Sequence, residues 1–209
     1  LETDAVDLVV LNRVASSVAA SAIAGTPLII KDRRSYLEFM LRVTQEAEDY
    51  RQTVKEYAEV YWRSNSLNQE DRDILNKRLI FLNSELQDAG RFKNMTQREY
   101  EQDRAKRREV ERWVENLMNA TIDICKTILA SEKQTVPSTY REIVENVGVI
   151  PIFFQDTSSQ LSQWASLRNV LAHEYLDIRW KQIYNFINTG EKHFEDFTKN
   201  VKDFLESNI

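Results

Sequence analysis

The chain has 209 residues, a formal net charge of −5, 42% hydrophobic residues and 29% charged residues, a balance typical of a globular protein with one core or one core plus a small module. Its four glycines and three prolines are too few for a fold of many strands and turns, so we expect long helices. No apolar run reaches the roughly 18 residues of a membrane span, and the negative net charge does not indicate a nucleic-acid binder, although local patches are a separate question.

The first third of the chain differs from the rest. The β-branched segment AVDLVVLNR (Ala5–Arg13) predicts a buried strand, SSVAASAIAG (Ser16–Gly25) predicts a short helix, and TPLIIKD (residues 26–32) predicts a second strand. Two strands alone do not form a stable sheet. We therefore expect a small, incomplete α/β segment, completed by an upstream portion or by a partner chain. From about Arg34 to Trp62 the pattern becomes helical.

A polar stretch, RSNSLNQED (Arg63–Asp71), predicts a linker that divides the chain into residues 1–66 and 67–209. Beyond it, apolar residues recur at helical spacing. We predict helices at residues 74–86 and 110–128, from Pro137 in the first turn to Gly148, from Ser158 to Tyr175, from Ile178 to Asn188, and then through the C-terminus. The predicted fold class is mostly α, an antiparallel helical bundle preceded by the small α/β segment.

The single cysteine, Cys125, lies in the apolar run LMNATIDICKTILA and is interpreted as a small core residue. One cysteine cannot form an internal disulfide, which favours a reducing compartment. The N-terminus lacks the basic region, apolar stretch and cleavage site of a secretion signal. We therefore predict a cytoplasmic protein that does not act at a membrane.

A basic run, DRAKRREVER (residues 103–112), places Arg104, Arg108 and Arg112 four residues apart on one helix face. Such a face can follow an RNA backbone. The interleaved Asp103, Glu109 and Glu111 equally suit a solvated face with internal ion pairs. The run is therefore a candidate RNA-binding surface with a structural alternative.

The stretch SLRNVLAHEYLDIRWKQIY (residues 166–184) combines Arg168, His173 and Tyr175. On a helical wheel Arg168 and Tyr175 fall within the apolar arc of Leu161 and Trp164, where an arginine is costly unless it is paired. Arg168 and His173 lie roughly 140° apart on a regular helix. They can serve one site only if the helix ends or bends there or if two copies face each other, which favours a dimer.

Each of these residues also has a structural interpretation. A histidine near a helix end is often exposed or structural, and a tyrosine in an apolar arc is often a core residue. Arg168 could pair with Glu174, Asp177 or Asp123, a carboxylate within the apolar face NATIDICK. The residues by themselves do not establish a reaction.

The segment RNVLAHEY resembles the Arg-x4-His-x-Tyr motif of the HepT-like toxin ribonucleases, which are helical bundles of the HEPN superfamily. ATIDICKTILA, VPSTYREIVENVGVI and LRNVLAHEYLDI follow one another in the order and spacing of that family, from about Asp71 to Asn188. VDLVVLNR and GTPLIIKDRRSYLEFMLRV in the first third resemble the C-terminal half of a minimal nucleotidyltransferase, the usual antitoxin partner. That family's Gly-Ser motif and paired aspartates are absent here, and Asp7 alone cannot hold two metal ions.

The resemblance implies a metal-independent endoribonuclease in a toxin–antitoxin module, active as a homodimer on RNA and without a metal or cofactor of its own. Arg168 would stabilise the phosphate and His173 would act as general base or acid, with Asn169 and Asp123 in support. Tyr175 would accept AMP from the nucleotidyltransferase, fused upstream or on a separate chain, which would itself need Mg-ATP. As given, the chain should lack transferase activity.

The alternative belongs to another class of protein. HEPN-like bundles also serve as non-catalytic nucleotide-binding or docking domains of nucleotidyltransferases, in which Arg168 and His173 would bind a nucleotide or support the dimer. The intact Arg-x4-His-x-Tyr pattern favours the ribonuclease, and a purely structural dimer leaves Arg168 in the apolar arc unexplained.

Overall fold

The computed structural model describes residues 9–63, 67–135, 137–173 and 180–207, without the side chains of residues 62, 63, 169, 170, 172 and 173. The described residues are mostly α-helical, which confirms the mostly α fold class, and they contain no β-strand of the predicted α/β segment. The helices are α1 (Ser16–Ile23), α2 (Arg33–Arg63), α3 (Gln69–Gln87), α4 (Ala89–Phe92), α5 (Gln97–Gln102), α6 (Arg104–Ser131), α7 (Tyr140–Asn146), α8 (Gln155–His173) and α9 (Trp180–Ser207).

The chain divides into two compact units, Leu1–Thr53 and Val54–Ile209, and the division falls within α2. The boundary that we predict between residues 66 and 67 stays a prediction, because residues 64–66 lie outside the described part.

In the first unit, the predicted strands are wrong wherever the structure describes them. Leu11–Arg13 form a single 3₁₀ turn and residues 26–32 are irregular, while Ala5–Leu8 lie outside the described residues. Leu28 and Ile29 are 93% and 82% exposed. A strand needs a neighbouring strand for its backbone hydrogen bonds, and the described residues provide none, so β-branched composition alone does not form a sheet here.

In the second unit, the long helix α6 is at the centre of the core. It packs against α3, α7, α8 and α9. The apolar residues whose helical spacing predicts a helix at 110–128 do lie in the core: Val110, Val114, Leu117, Ile124 and Ile128 are fully buried. Cys125 is also fully buried, and burial raises the pKa of its thiol, so the interpretation as a small core residue is confirmed.

Polar side chains determine where several of these helices begin. Asn68 caps α3 through a 2.9 Å hydrogen bond from the Asp71 amide, and Asp103 caps α6. Thr139 caps α7, accepting a 3.1 Å hydrogen bond from the Glu142 amide. Hence α7 begins at Tyr140, and the start predicted at Pro137 is wrong by one turn.

The C-terminal region is one helix rather than the two that we predict. α9 runs from Trp180 to Ser207 without a break at Gly190, which is buried and faces Trp164 and Phe194. The strong apolar stripe of α9 maintains the helix through this glycine. None of the described helices combines the length and apolar character needed to cross a membrane.

Candidate functional site

The candidate site lies on the second half of α8. Leu161 and Trp164 are buried, at 0% and 7% exposed, and Arg168 follows Trp164 by one turn and is half-buried. The expectation that Arg168 lies on the packed side of the helix is therefore confirmed. Because a half-buried guanidinium has lost much of its hydration, it needs hydrogen-bonding partners from the protein.

Two uncharged side chains from neighbouring helices hold Arg168. Its Nε donates a 3.0 Å hydrogen bond to Oδ1 of Asn119 in α6. Its Cζ lies 4.9 Å from the ring centroid of Tyr140, the first residue of α7, a distance at which the ring face attracts a cation. The packing of α8 against α6 and α7 thus brings together residues far apart in the sequence.

Two of the other predicted site residues, Asn169 and His173, belong to α8. His173 is the last described residue of α8, so it lies on the same helix as Arg168, but its side chain and that of Asn169 lie outside the described part. Tyr175, Glu174 and Asp177 lie outside it entirely. The geometry between Arg168, His173 and Tyr175 stays a prediction.

Asp123, predicted as a supporting residue, lies on α6 one turn beyond Asn119. Its carboxylate pairs with Arg78 of α3 at 3.0 Å and with Lys126 at 3.2 Å. Lys126 also pairs with Glu56. These contacts give Asp123 a place in an ion-pair cluster that joins α6 to α3 and to the end of α2.

The acidic residues of the basic run contact groups other than Arg104, Arg108 and Arg112, which we call the arginine stripe. Asp103 caps the helix through the amides of Ala105 and Lys106, Glu109 pairs with Arg91, and Glu111 accepts a 2.7 Å hydrogen bond from the Tyr100 hydroxyl. Of the three arginines, Arg112 pairs with Glu115 at 2.9 Å. Arg104 and Arg108 are exposed, and no ion pair to another described residue is found for them.

The arginine stripe and the contact to Arg168 share one side of α6. Asn119 follows Arg108 by 11 residues and Arg112 by seven, which on a regular helix places all three within roughly 20° of one line. Asn119 lies about 10 Å beyond Arg112 along the helix axis. Arg108 and Arg112 therefore lie nearly in line with the residue that holds Arg168.

Acidic clusters offer no further site in the described part of the chain. Among those residues, no group of three or more His, Cys, Asp or Glu side chains could hold a metal ion. The metal-independence expected from the resemblance stays a prediction.

Asn119 and Tyr140 are the site residues that sequence analysis misses. They lie 49 and 28 residues before Arg168, and no local pattern connects such distant positions. Asn119 lies on the same side of α6 as Arg108 and Arg112, but this position indicates a site residue only once α8 is known to pack against α6.

Comparison with known proteins identifies the family to which the chain belongs. A model of the family described as "Ribonuclease HepT-like" matches residues 82–201, more than half of the chain, and the match includes Asn119, Tyr140 and Arg168. The tRNA nuclease HepT of Aphanizomenon flos-aquae (strain 2012/KM1/D3) is 25% identical over 132 residues, which are 63% of this chain and 90% of that protein. On this evidence the chain belongs to the HepT-like ribonuclease family.

Proposed function

We propose that this chain is a metal-independent endoribonuclease that acts as the toxin of a toxin–antitoxin module, with Arg168 and His173 as its catalytic residues. The observation that carries the proposal is the half-buried Arg168, held at Nε by Asn119, five residues before His173 on one helix and within the family match. A guanidinium is suited to a phosphate because its fork of N–H donors matches the phosphate oxygens.

The proposed reaction is an internal transesterification of RNA. The ribose 2′-oxygen forms a bond to phosphorus while the bond from phosphorus to the leaving 5′-oxygen breaks, which leaves a cyclic phosphate and a free 5′-hydroxyl. A base takes the 2′-hydroxyl proton and an acid protonates the 5′-oxygen. Histidine suits either role because it titrates near neutrality, and Arg168 stabilises the charge that develops on the phosphate.

A homodimer is part of the proposal. On one regular helix Arg168 and His173 point roughly 140° apart, whereas two copies of α8 facing each other can bring the arginine of one protomer near the histidine of the other. Two copies also supply one histidine as base and one as acid. Asn169 would assist by hydrogen bonding to the phosphate.

The substrate that we propose is an RNA of the tRNA class, since a relative that is 25% identical over 63% of this chain is named a tRNA nuclease. Arg104, Arg108 and Arg112 would contact its backbone. Their support is the exposure of Arg104 and Arg108 and the alignment of Arg108 and Arg112 with Asn119, which would direct a bound strand towards Arg168.

Control by AMP transfer to Tyr175 completes the proposal. A minimal nucleotidyltransferase with Mg-ATP would join the Tyr175 oxygen to the α-phosphate of ATP, with loss of pyrophosphate and of the phenolic proton. The added anion, seven residues from Arg168 and thus near it on a helical wheel, would compete with RNA phosphate.

The test is RNA cleavage by the AMP-free protein in EDTA, comparing the parent chain with Arg168→Ala and His173→Ala. The chain provides matched controls. Arg141→Ala removes an exposed arginine of α7 that pairs with Glu145, and His193→Gln alters the other histidine, which packs on the Trp164 ring. Dimerisation is measured for all five proteins.

Cleavage that survives EDTA and both control changes, and that falls by about 100-fold or more in both test variants while the dimer persists, is the expected result. If the unmodified, AMP-free parent cleaves no RNA, the proposal fails, and the non-catalytic nucleotide-binding or docking bundle becomes the better description.

A further inference from the structure

The contacts of Arg168 are directional as well as stabilising. The 3.0 Å hydrogen bond from Nε to Asn119 Oδ1 restricts rotation of the guanidinium within its own plane. The Tyr140 ring, 4.9 Å from Cζ, restricts its movement on one side. A long arginine side chain otherwise samples many rotamers, so these contacts select one orientation before any ligand arrives.

The chemistry of the two groups distinguishes them from ordinary ion-pair partners. An amide oxygen and an aromatic ring carry no net charge, so neither contact neutralises the guanidinium. Hydrogen bonding through Nε also differs from hydrogen bonding through the terminal fork, which is the part of the guanidinium that binds phosphate bidentately.

The groups that hold Arg168 are themselves firmly placed. Asn119 belongs to α6, where its neighbours Met118 and Ala120 are 0% and 2% exposed. Tyr140 is 7% exposed and is the first residue of α7, directly after the Thr139 cap. Orientation of a catalytic group by a rigid surrounding is worth most when the group must meet the reacting atoms within a fraction of an ångström.

We propose that Asn119 and Tyr140 are positioning residues for Arg168 in phosphodiester cleavage, an inference that rests on the proposed ribonuclease function. They orient the guanidinium towards the phosphate and do not touch the RNA themselves. Removing either should therefore slow the bond-breaking step while RNA binding changes little, and only in a protein that still has Arg168.

The experiment measures kcat and KM for RNA cleavage in Asn119→Leu, Tyr140→Leu and Tyr140→Phe, each also combined with Arg168→Ala. Asn116→Leu is the matched control. This asparagine lies on the same helix three residues earlier, is also half-buried, and donates a 3.1 Å hydrogen bond to Glu85 instead. Unfolding in urea and dimerisation are followed for every variant, so that loss of fold is separated from loss of orientation.

Asn119→Leu is expected to lower kcat by about 10- to 100-fold with KM changed by less than about 3-fold. Tyr140→Leu should lower kcat by about 10-fold, and Tyr140→Phe, which keeps the ring, should retain most of the activity. In the Arg168→Ala background both changes should have no additional effect, because residues that act through a common group are not additive.

Several results would overturn the inference. One is parent-like cleavage by Asn119→Leu while Arg168→Ala is inactive; another is a loss of similar size in Asn116→Leu, or an additive loss in the Arg168→Ala background, each of which indicates a merely structural role. If Arg168→Ala itself cleaves like the parent, the proposed function fails instead, and the two failures are therefore distinguishable.

Asn119→Asp provides a second route if the leucine variant folds poorly. It keeps an acceptor oxygen for Nε but adds a negative charge beside the guanidinium. We expect kcat to fall less than in Asn119→Leu and KM for the anionic RNA to rise several-fold. An unchanged KM together with a kcat as low as that of Asn119→Leu would contradict an orienting role of the acceptor.

Discussion

Two neighbouring regions along α6 hold a cation in different ways. At Asn119, the guanidinium of Arg168 meets an amide oxygen and an aromatic ring. Two turns further on, the ammonium of Lys126 lies between the carboxylates of Glu56 and Asp123. The two regions follow the same side of one helix, so the difference lies in their partners rather than in the scaffold.

The difference indicates two kinds of role. Lys126 has only 10% of its side chain exposed, and a buried charge is tolerated when opposite charges compensate it. Its carboxylate partners stabilise the protein and offer little to a ligand. The contacts of Arg168 with Asn119 and Tyr140 do not themselves oppose its charge, and the catalytic role that we propose for Arg168 requires a charge that can meet a phosphate. We therefore expect Lys126 to matter mainly for stability and Arg168 mainly for cleavage.

The largest expected effect comes from making the same substitution at both cations. Arg168→Met should lower RNA cleavage by about 100-fold or more while the free energy of unfolding changes by less than about 1 kcal/mol. Lys126→Met leaves Glu56 and Asp123 without this partner and should lower the free energy of unfolding by on the order of 1–3 kcal/mol, with kcat within about 2-fold of the parent. Urea unfolding and cleavage assays on the same preparations measure both.

The comparison thus predicts that Arg168→Met lowers mainly cleavage and that Lys126→Met lowers mainly stability. Either of two results would contradict it. If Lys126→Met abolishes cleavage in a folded dimer, the carboxylate-held cation is functional after all. If Arg168→Met unfolds the protein as readily as Lys126→Met, the neutral partners of Arg168 serve the fold in the same way as the carboxylates do.

A second prediction concerns the pH dependence of stability near the Lys126 ion pairs. Tyr57, next to Glu56 in α2, is buried and donates a 2.8 Å hydrogen bond to the Gln134 carbonyl. Burial raises the pKa of Tyr57 to about 12 from its ordinary 10.0. Because the folded protein holds the proton more tightly than the unfolded chain, this contribution to stability is complete below pH 10 and is lost as the pH rises towards 12.

Tyr57→Phe removes this titration. The advantage of the parent over the variant in free energy of unfolding, about 1 kcal/mol near neutrality, should fall by up to about 2 kcal/mol between pH 10 and 12. Urea unfolding at a series of pH values measures it, with Tyr184→Phe, a change on a half-exposed ring, as control. A constant difference between parent and variant over that range would show that the Tyr57 hydroxyl does not titrate as its burial implies.

The next prediction concerns Thr139, the residue that caps α7 directly before Tyr140. Thr139→Ala removes the acceptor for the Glu142 amide and should lower the free energy of unfolding by about 1 kcal/mol, while Thr139→Ser should keep most of it. Since Tyr140 follows directly, we expect cleavage by the folded alanine variant to fall by no more than a few-fold. A loss larger than that of Tyr140→Leu would mean that α7 contributes to the site through more than the Tyr140 ring.

How far the sequence predicts these regions depends on how far apart in the sequence the interacting residues lie. The buried stripe of α6 and the packed side of α8 follow from helical periodicity, so residues such as Leu117 and the position of Arg168 could be found without a structure. The contacts from Arg168 to Asn119 and Tyr140 could not, because they depend on how α6, α7 and α8 pack. The Arg-x4-His-x-Tyr pattern indicates the family, whereas its supporting residues come from tertiary structure.

The wrong predictions have physical reasons of the same kind. Leu28 and Ile29 look like strand residues, yet a strand requires a partner, and none is present among the described residues. Pro137 suits a helix start, but the Thr139 side chain provides the hydrogen bond that begins α7 three residues later. The break that we predict after Asn188 is absent, because the apolar stripe of α9 overrides the weak helix propensity of Gly190.

The smallest expected effect concerns Gly190, where α9 packs against Trp164 of α8. A Cβ at Gly190 would lie 3.5 Å from the Phe194 ring and 3.7 Å from the Trp164 ring, which are ordinary contact distances. Gly190→Ala should therefore raise the free energy of unfolding by about 0.5–1 kcal/mol through helix propensity, seen as a higher midpoint in urea, with cleavage unchanged. A lower midpoint would show that Trp164 and Phe194 cannot accommodate one methyl group, so that the glycine is required for the packing of α9 against the helix that carries Arg168.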